Sequence, residues 1–263
     1  MDKPSISLVL SGSGILYPYH VGAVNRISEE FKIESITGIS GGAIVGASVA
    51  SGYSPGEELI DLILDTLPAE NHLLDFNWLP FWKWGLIQGK KIKEKFEKYY
   101  VPSFQETEIP LQIGAVNLNK QKHRIFSTKN TPEFSIATAV RASMTYPIAF
   151  EPVEIKDDYY VDGGIMSYFP VDIYGEGENV IGVQISPEMG DFSEINGIWE
   201  YLMSLIKSMM TSMTQESKKD APLAKKIHIQ GNQTALNLGI SRSKAKELID
   251  RGYKITDQSL KNE

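Results

Sequence analysis

Short apolar runs alternate with segments of helical spacing along the whole chain. Strands are expected at residues 6–10, 33–37, 111–118, 123–128, 159–161, 180–186 and 226–230. Helices, in which apolar side chains recur every three or four residues, are expected at residues 19–31, 43–50, 54–67, 134–143, 193–213 and 241–252. This alternation predicts an α/β fold with a mostly parallel central sheet flanked by helices on both faces.

Composition narrows the class of protein. The chain has 263 residues and a mass of 29.3 kDa, which fits one α/β domain over residues 1–263. Its 42% apolar and 22% charged residues are typical of a soluble globular protein. The 26 basic and 33 acidic residues give a net charge of −7, which argues against a nucleic-acid partner. The sequence leaves the oligomeric state open.

The inventory of reactive side chains is also narrow. Cysteine is absent, which excludes disulfides, thiolate metal sites and a cysteine nucleophile. Only four histidines are present, and a histidine-rich metal site would use most of them, so no metal is expected. The first apolar run is too short for a signal peptide, and no run approaches the length of a membrane span. We therefore expect a cytoplasmic protein, with membrane association limited to peripheral contact.

A glycine-rich turn at residues 38–42 follows one expected strand and precedes an expected helix. It reads GISGG and matches the pattern G-x-S-x-G, in which a sharp strand–turn–helix corner exposes a serine hydroxyl. The N-terminus of the following helix favours negative charge that develops beside this serine. Ser40 is therefore a candidate nucleophile, and the alternative is a glycine-rich turn with a capping serine.

A second turn, GSG at residues 12–14, follows the first expected strand. Free backbone N–H groups at such a point can bind a phosphate or an oxyanion. A dinucleotide-binding fingerprint needs a third glycine where this chain has Tyr17. We therefore interpret Gly12, Ser13 and Gly14 as a candidate oxyanion hole, and the alternative is a tight turn without a ligand.

Serine needs a base to accept its proton, and two arrangements are open. A conventional triad would combine Ser40 with Asp162 and His228, but His228 falls within an alternating strand pattern. Asp162 ends an expected strand and precedes two glycines, which would allow its carboxylate to approach another loop closely. Asp162 is the stronger candidate, although an aspartate in an ordinary turn would look the same. His20 is expected to stiffen the first turn.

Together these motifs resemble those of the patatin-like phospholipases. The strings GSG at 12–14, GISGG at 38–42 and DGG at 162–164 occur in the family's order, and YHVG at 19–22 and AVRAS at 139–143 support the match. The resemblance covers roughly the whole chain and implies a three-layer sandwich. It also implies a Ser–Asp dyad, with Ser40 as nucleophile and Asp162 as base, and an oxyanion hole formed by residues 12–14. The implied reaction is the hydrolysis of acyl esters in lipids or phospholipids through an acyl-serine intermediate, without a cofactor.

The first motif departs from the family pattern of three glycines, a variable residue, a basic residue and a glycine. Ser13, Leu16 and Tyr17 replace the middle glycine, the basic residue and the last glycine. Loss of an oxyanion donor costs roughly 10²–10³ in rate, but a backbone N–H survives a change of side chain. We therefore expect activity, and a catalytically impaired protein that binds lipids or membranes is the alternative.

Residues 70–100 contain a candidate lid or interfacial segment. Residues 76–84 read FNWLPFWKW, with five aromatic residues and three of the four tryptophans. Between residues 83 and 98, six lysines stand against two glutamates. Aromatic side chains favour the lipid–water interface and lysines favour anionic head groups, although a loop covering the core is the alternative. The four methionines between residues 203 and 213 are expected in the core.

Overall fold

The computed structural model describes residues 3–78, 83–174, 179–186, 195, 197–216, 225–231 and 239–262. The strands are β1 (Ser5–Leu10), β2 (Lys32–Ile39), β3 (Gly85–Ile87), β4 (Leu111–Asn117), β5 (Lys122–Ser127), β6 (Ile148–Phe150), β7 (Val153–Ile155), β8 (Asp158–Asp162), β9 (Val180–Ser186) and β10 (Lys225–Gln230). The helices are α1 (Pro18–Glu30), α2 (Gly41–Ala50), α3 (Glu57–Asp65), α4 (Lys90–Tyr99), α5 (Ile136–Ser143), α6 (Ile198–Glu216) and α7 (Arg242–Lys261). Within these ranges, no helix combines the length and apolar character needed to cross a bilayer.

The central sheet is mixed. Its strand order is β10-β9-β1-β2-β4-β8-β7, and β5 pairs with β4 away from this path. The five strands from β10 to β4 are mutually parallel, as the sequence predicts. The strands β5, β7 and β8 add antiparallel pairs at the β4 side of the sheet. The short strands β3 and β6 form a separate parallel pair that sequence patterning does not predict.

Helices flank this sheet in a three-layer α/β fold. Every residue of β9 is buried, and a strand buried on both faces must be covered on both sides of its sheet. The apolar runs of β1 and β4 are likewise buried over most of their length. The predicted architecture, a central sheet with helices on both faces, is therefore confirmed.

The helices α1 and α7 pack with their backbones almost in contact. A Cβ atom placed on Gly22 would lie 2.0 Å from the carbonyl oxygen of Ile249, and one placed on Gly252 would lie 2.3 Å from that of Tyr19. Both distances are below any real contact, so only glycine fits at either position. The final helix of the chain is thereby held against the helix that follows the first turn.

We expect Gly252→Ala to lower the free energy of unfolding by about 1–3 kcal/mol, because the added methyl group must push two helices apart. Thermal or denaturant unfolding measures this change. Lys254→Ala is the matched control, since Lys254 is exposed on the same helix, and it should stay within about 0.5 kcal/mol of the wild type. Equal stability of Gly252→Ala and the wild type would contradict the close packing.

Candidate active site

Two strands meet end to end along one edge of β4. The last residue of β2, Ile39, pairs with Gly114, and the last residue of β8, Asp162, pairs with the adjacent Ala115. The strand β2 is parallel to β4 and β8 is antiparallel to it, so their carboxyl ends point toward each other. Ser40, the next residue after β2, is therefore placed directly beside Asp162.

The side chains of Ser40 and Asp162 are hydrogen-bonded in a buried position. Ser40 Oγ donates to Asp162 Oδ2 at 2.7 Å, and the N–H of Gly164 donates to Asp162 Oδ1 at 2.8 Å. Ser40 is 6% exposed and Asp162 is 2% exposed. Burial raises the pKa of Asp162 to about 6, although the bonds from Gly164 and Ser40 act to lower it. The carboxyl group can thus accept a proton close to neutral pH.

Ser40 occupies a backbone conformation that non-glycine residues rarely adopt, with φ 50° and ψ −119°. Its N–H donates to Ser143 Oγ at 2.8 Å, and the Ser143 hydroxyl donates to the carbonyl oxygen of Gly114 at 2.6 Å. The corner also requires glycine at position 42, because a Cβ atom there would lie 2.4 Å from the carbonyl oxygen of Leu10. Ser143 was not predicted to have a role at the site, although it lies in the AVRAS string that supported the family resemblance.

The segment that ends α5 also holds Asp162. The N–H of Asp162 donates to the carbonyl oxygen of Thr145 at 2.8 Å, and the guanidinium of Arg141 donates to the Thr145 hydroxyl. Arg141 further donates to the carbonyl oxygens of Gln88, Gly89 and Glu151 at 2.7, 3.1 and 3.0 Å. Burial lowers the pKa of Arg141 to about 10, so it still carries its charge at neutral pH.

The first turn lies against the nucleophile turn. A Cβ atom on Gly41 would lie 2.2 Å from Ser13 Oγ and 2.8 Å from the carbonyl oxygen of Gly14. Among the described residues, the N–H groups of Ser13, Gly14 and Gly41 have no hydrogen-bond acceptor. They are therefore candidate hydrogen-bond donors to an oxyanion.

Gly12 differs from the expectation for the oxyanion hole. Its N–H donates to the carbonyl oxygen of Tyr168 at 2.9 Å and is therefore already occupied. A Cβ atom on Gly12 would lie 2.8 Å from the Tyr168 ring, so the glycine makes room for that ring. Of the three residues in the GSG string, Ser13 and Gly14 remain as candidate donors.

His228 and His20 each have a hydrogen-bond partner other than Ser40 or Asp162. His228 Nε2 is 2.9 Å from Ser186 Oγ on the neighbouring strand β9, and β10 is three strand spacings, about 14 Å, from β2. The structure therefore does not bring His228 to Ser40. His20 Nε2 lies 2.9 Å from the carbonyl oxygen of Ser11, and burial lowers the pKa of His20 to about 3. Within the described ranges, no three His, Asp or Glu side chains form a group that could hold a metal ion.

The three-layer α/β fold carries a buried serine on a glycine-rich turn, hydrogen-bonded to an aspartate. A family model of patatin-like phospholipases matches residues 8–174. The chain belongs to the patatin-like phospholipase family, as the three glycine-containing motifs predict. It is therefore a member of a family of lipid hydrolases.

Comparison with individual proteins agrees with this assignment. Protein R571 of Acanthamoeba polyphaga mimivirus is 28% identical over 279 residues, covering 97% of this chain and 93% of that protein. The probable lipid hydrolase 463L of Invertebrate iridescent virus 6 is 29% identical over 185 residues, covering 64% of this chain and 62% of that protein. The crystal structure of VipD from Legionella pneumophila shares the fold, with a TM-score of 0.57 and 17% identity over 97% of this chain. The match spans 66% of the VipD chain.

The raised pKa of Asp162 predicts an effect on stability. The carboxyl group of Asp162 has a pKa of about 6 in the folded protein and 3.8 in the unfolded chain. It therefore binds a proton more tightly in the folded state, and its protonation stabilises the fold. This contribution is complete below pH 3.8 and is lost as the pH rises through about 6. Asp162→Asn keeps the shape of the side chain and cannot ionise, so its melting temperature should exceed that of the wild type by a few degrees at pH 7.5 and by much less at pH 4.5. Thermal unfolding at both pH values tests this, and the same difference at both would contradict it.

Proposed function

We propose that this chain cleaves carboxylic ester bonds of phospholipids or related lipids through an acyl-serine intermediate, with Ser40 and Asp162 as the catalytic dyad. The observation that carries the proposal is the 2.7 Å hydrogen bond from Ser40 Oγ to Asp162 Oδ2. Membership of a lipid hydrolase family supports the substrate class. The pKa of Asp162, raised to about 6, suits a group that must accept and then return a proton near neutral pH.

In this mechanism, Asp162 accepts the hydroxyl proton of Ser40 while Ser40 Oγ attacks the ester carbonyl carbon. The N–H groups of Ser13, Gly14 and Gly41 stabilise the negative charge on the carbonyl oxygen. The tetrahedral intermediate collapses, the C–O bond to the alcohol breaks, and Asp162 returns its proton to the alcohol. Water then attacks the acyl-serine, with Asp162 again as base, and releases the fatty acid and the free Ser40 hydroxyl.

Two observations weigh on the alternatives. A Ser–His–Asp esterase would need a histidine at the dyad, and His228 instead contacts Ser186. A catalytically impaired protein would be expected if the altered first motif had lost its donors. Leu16 and Tyr17 are buried in the hydrophobic core, and Ser13 and Gly14 still lie against the nucleophile turn, with N–H groups that have no acceptor among the described residues. Both observations favour an active dyad enzyme.

We expect Ser40→Ala and Asp162→Asn each to reduce ester hydrolysis by at least about a thousandfold, because each removes one half of the nucleophile and base pair. His228→Ala should retain most of the activity, and Ser186→Ala is its matched control, since both residues lie outside the dyad. Turnover of a short-chain ester and of a phospholipid measures these effects. If His228→Ala were as inactive as Ser40→Ala, the dyad would be wrong.

The aromatic segment at residues 76–84 supports peripheral contact with lipid. Phe76 pairs with Ile87 through an antiparallel bridge, so residues 76–78 run antiparallel to β3, and the described residues 76–78 and 83–87 are together called the hairpin. Trp78 is 93% exposed, and Phe76 and Trp84 are each more than half exposed. Phe81 and Trp82 lie outside the described residues. Rings this exposed support a contact with the lipid–water interface more than packing over the core.

The lysines near this hairpin contribute less positive charge than the sequence suggests. Four of the six form ion pairs with neighbouring carboxylates, namely Lys83 with Glu151, Lys90 with Glu94, Lys93 with Glu97 and Lys95 with Asp65. These pairs cancel most of the local positive charge. The proposed lipid contact therefore depends mainly on the aromatic side chains.

We expect Trp78→Ala to weaken binding to phospholipid vesicles roughly tenfold, because even partial burial of an indole ring contributes about 1–2 kcal/mol. Trp78→Phe is the matched control and should retain most of the binding. Cosedimentation with vesicles, performed in the Ser40→Ala protein so that lipid is not consumed, measures the effect. Unchanged binding of Trp78→Ala would contradict the role of this hairpin.

A further inference from the structure

The helix α6 carries an exposed apolar stripe. Ile198, Tyr201, Leu205 and Met209 are each between 45% and 59% exposed. At 100° per residue these four positions fall within about 80° of the helix circumference and therefore line up along one side. With Ile195, they make five of the twelve large hydrophobic side chains that are exposed in the described part of the chain. Such a concentration of exposed apolar surface is typical of a binding surface.

Another side of the same helix packs beside the dyad. Met210 is buried, and its Cε lies 3.1 Å from the position of a Cβ atom on Gly164, whose N–H donates to Asp162. Met210 also belongs to a buried cluster with Tyr168. Among the described helices and strands, α6 is the one that makes the most contacts with the turn Gly163–Ile165. One side of the helix therefore packs against the turn that holds Asp162, and another side exposes the apolar stripe.

The stripe is also free of charge. Between residues 198 and 213 the only charged residues are Glu200 and Lys207, and both lie more than about 120° around the helix from the centre of the stripe. An uncharged stripe of Ile, Tyr, Leu and Met favours an apolar partner over a charged one. The dyad itself is almost completely buried, so an ester within a lipid aggregate reaches it only if the surface beside it faces that aggregate.

We propose that the exposed stripe of α6, formed by Ile198, Tyr201, Leu205 and Met209, docks the protein on the apolar boundary of a lipid aggregate and presents the lipid to Ser40. This inference rests on the proposed function and deepens it, because it assigns the surface through which an aggregated substrate approaches the dyad. Binding through this stripe is driven by apolar burial rather than by charge.

The test compares vesicle binding of two double variants, each made in the Ser40→Ala protein. Leu205→Gln with Met209→Gln should weaken binding to phosphatidylcholine vesicles at least tenfold, because two side chains that enter the apolar boundary become polar. Glu200→Gln with Lys207→Gln is the matched control, since both residues lie more than about 120° around the same helix from the centre of the stripe and the pair leaves the net charge unchanged, and it should bind like the parent protein. Raising the salt concentration should not weaken binding of the parent, because no charge takes part.

Three outcomes would overturn the proposal: equal vesicle binding by the stripe variant and its control, binding that falls steeply with salt, or a parent dimer that the stripe variant converts to a monomer without loss of vesicle binding. The last outcome would make the stripe a contact between two copies of this chain. Tyr201→Gln, at a separate position in the stripe, should weaken binding as well and guards against a local folding defect at Leu205. Failure of the proposed function is seen separately, as ester hydrolysis that survives Ser40→Ala.

Discussion

The carboxylate of Asp162 is held inside the protein beside the Ser40 hydroxyl, and most of the surrounding structure serves this contact. Removing a carboxylate from water is unfavourable unless hydrogen bonds compensate, and here two donors, Ser40 Oγ and the Gly164 N–H, supply them. Both partners arrive at the end of a strand, and the two strands meet on one edge of β4. The distance between the reacting groups is thus set by backbone pairing in a sheet rather than by mobile loops.

The end of α5 connects this contact to the aromatic hairpin. The N–H of Ser40 donates to the Ser143 hydroxyl, and the N–H of Asp162 donates to the carbonyl oxygen of Thr145. From the same segment, Arg141 donates to the carbonyl groups that follow β3. A guanidinium has five donors in a fixed plane, so one buried arginine can fix several carbonyl groups at once. The hairpin that exposes Trp78 is therefore anchored by the residue whose helix positions both members of the dyad.

Local patterns in the sequence predict the parallel strands and the order of the three glycine-containing motifs. They do not predict that β8 runs antiparallel to β4, because this pairing joins residues more than 40 positions apart, or that Ser40 meets Asp162, which lies 122 positions along the chain. For the same reason, the bond from Gly12 to Tyr168 and the role of Ser143 emerge only in the folded chain. The expected core position of the methionines is confirmed for Met210 and wrong for Met209, which is 52% exposed, because the apolar arc of α6 is wider than its buried side. The organisation of residues 1–263 as one domain stays a prediction.

Charge and apolar surface together constrain how the protein could meet a lipid aggregate. A net charge of −7 opposes approach to an anionic surface, and most lysines near the hairpin are already paired with carboxylates. The attraction must then come from apolar side chains, and the exposed ones are concentrated in two places, the hairpin around Trp78 and the stripe of α6. Attachment by apolar burial carries little preference for head-group charge, because the free energy gained scales with buried area and not with surface potential. If both surfaces contact lipid, selectivity among lipids has to be exerted at the dyad, where Tyr168 packs against Gly12 and the side chains of Ser40 and Asp162 are almost completely buried.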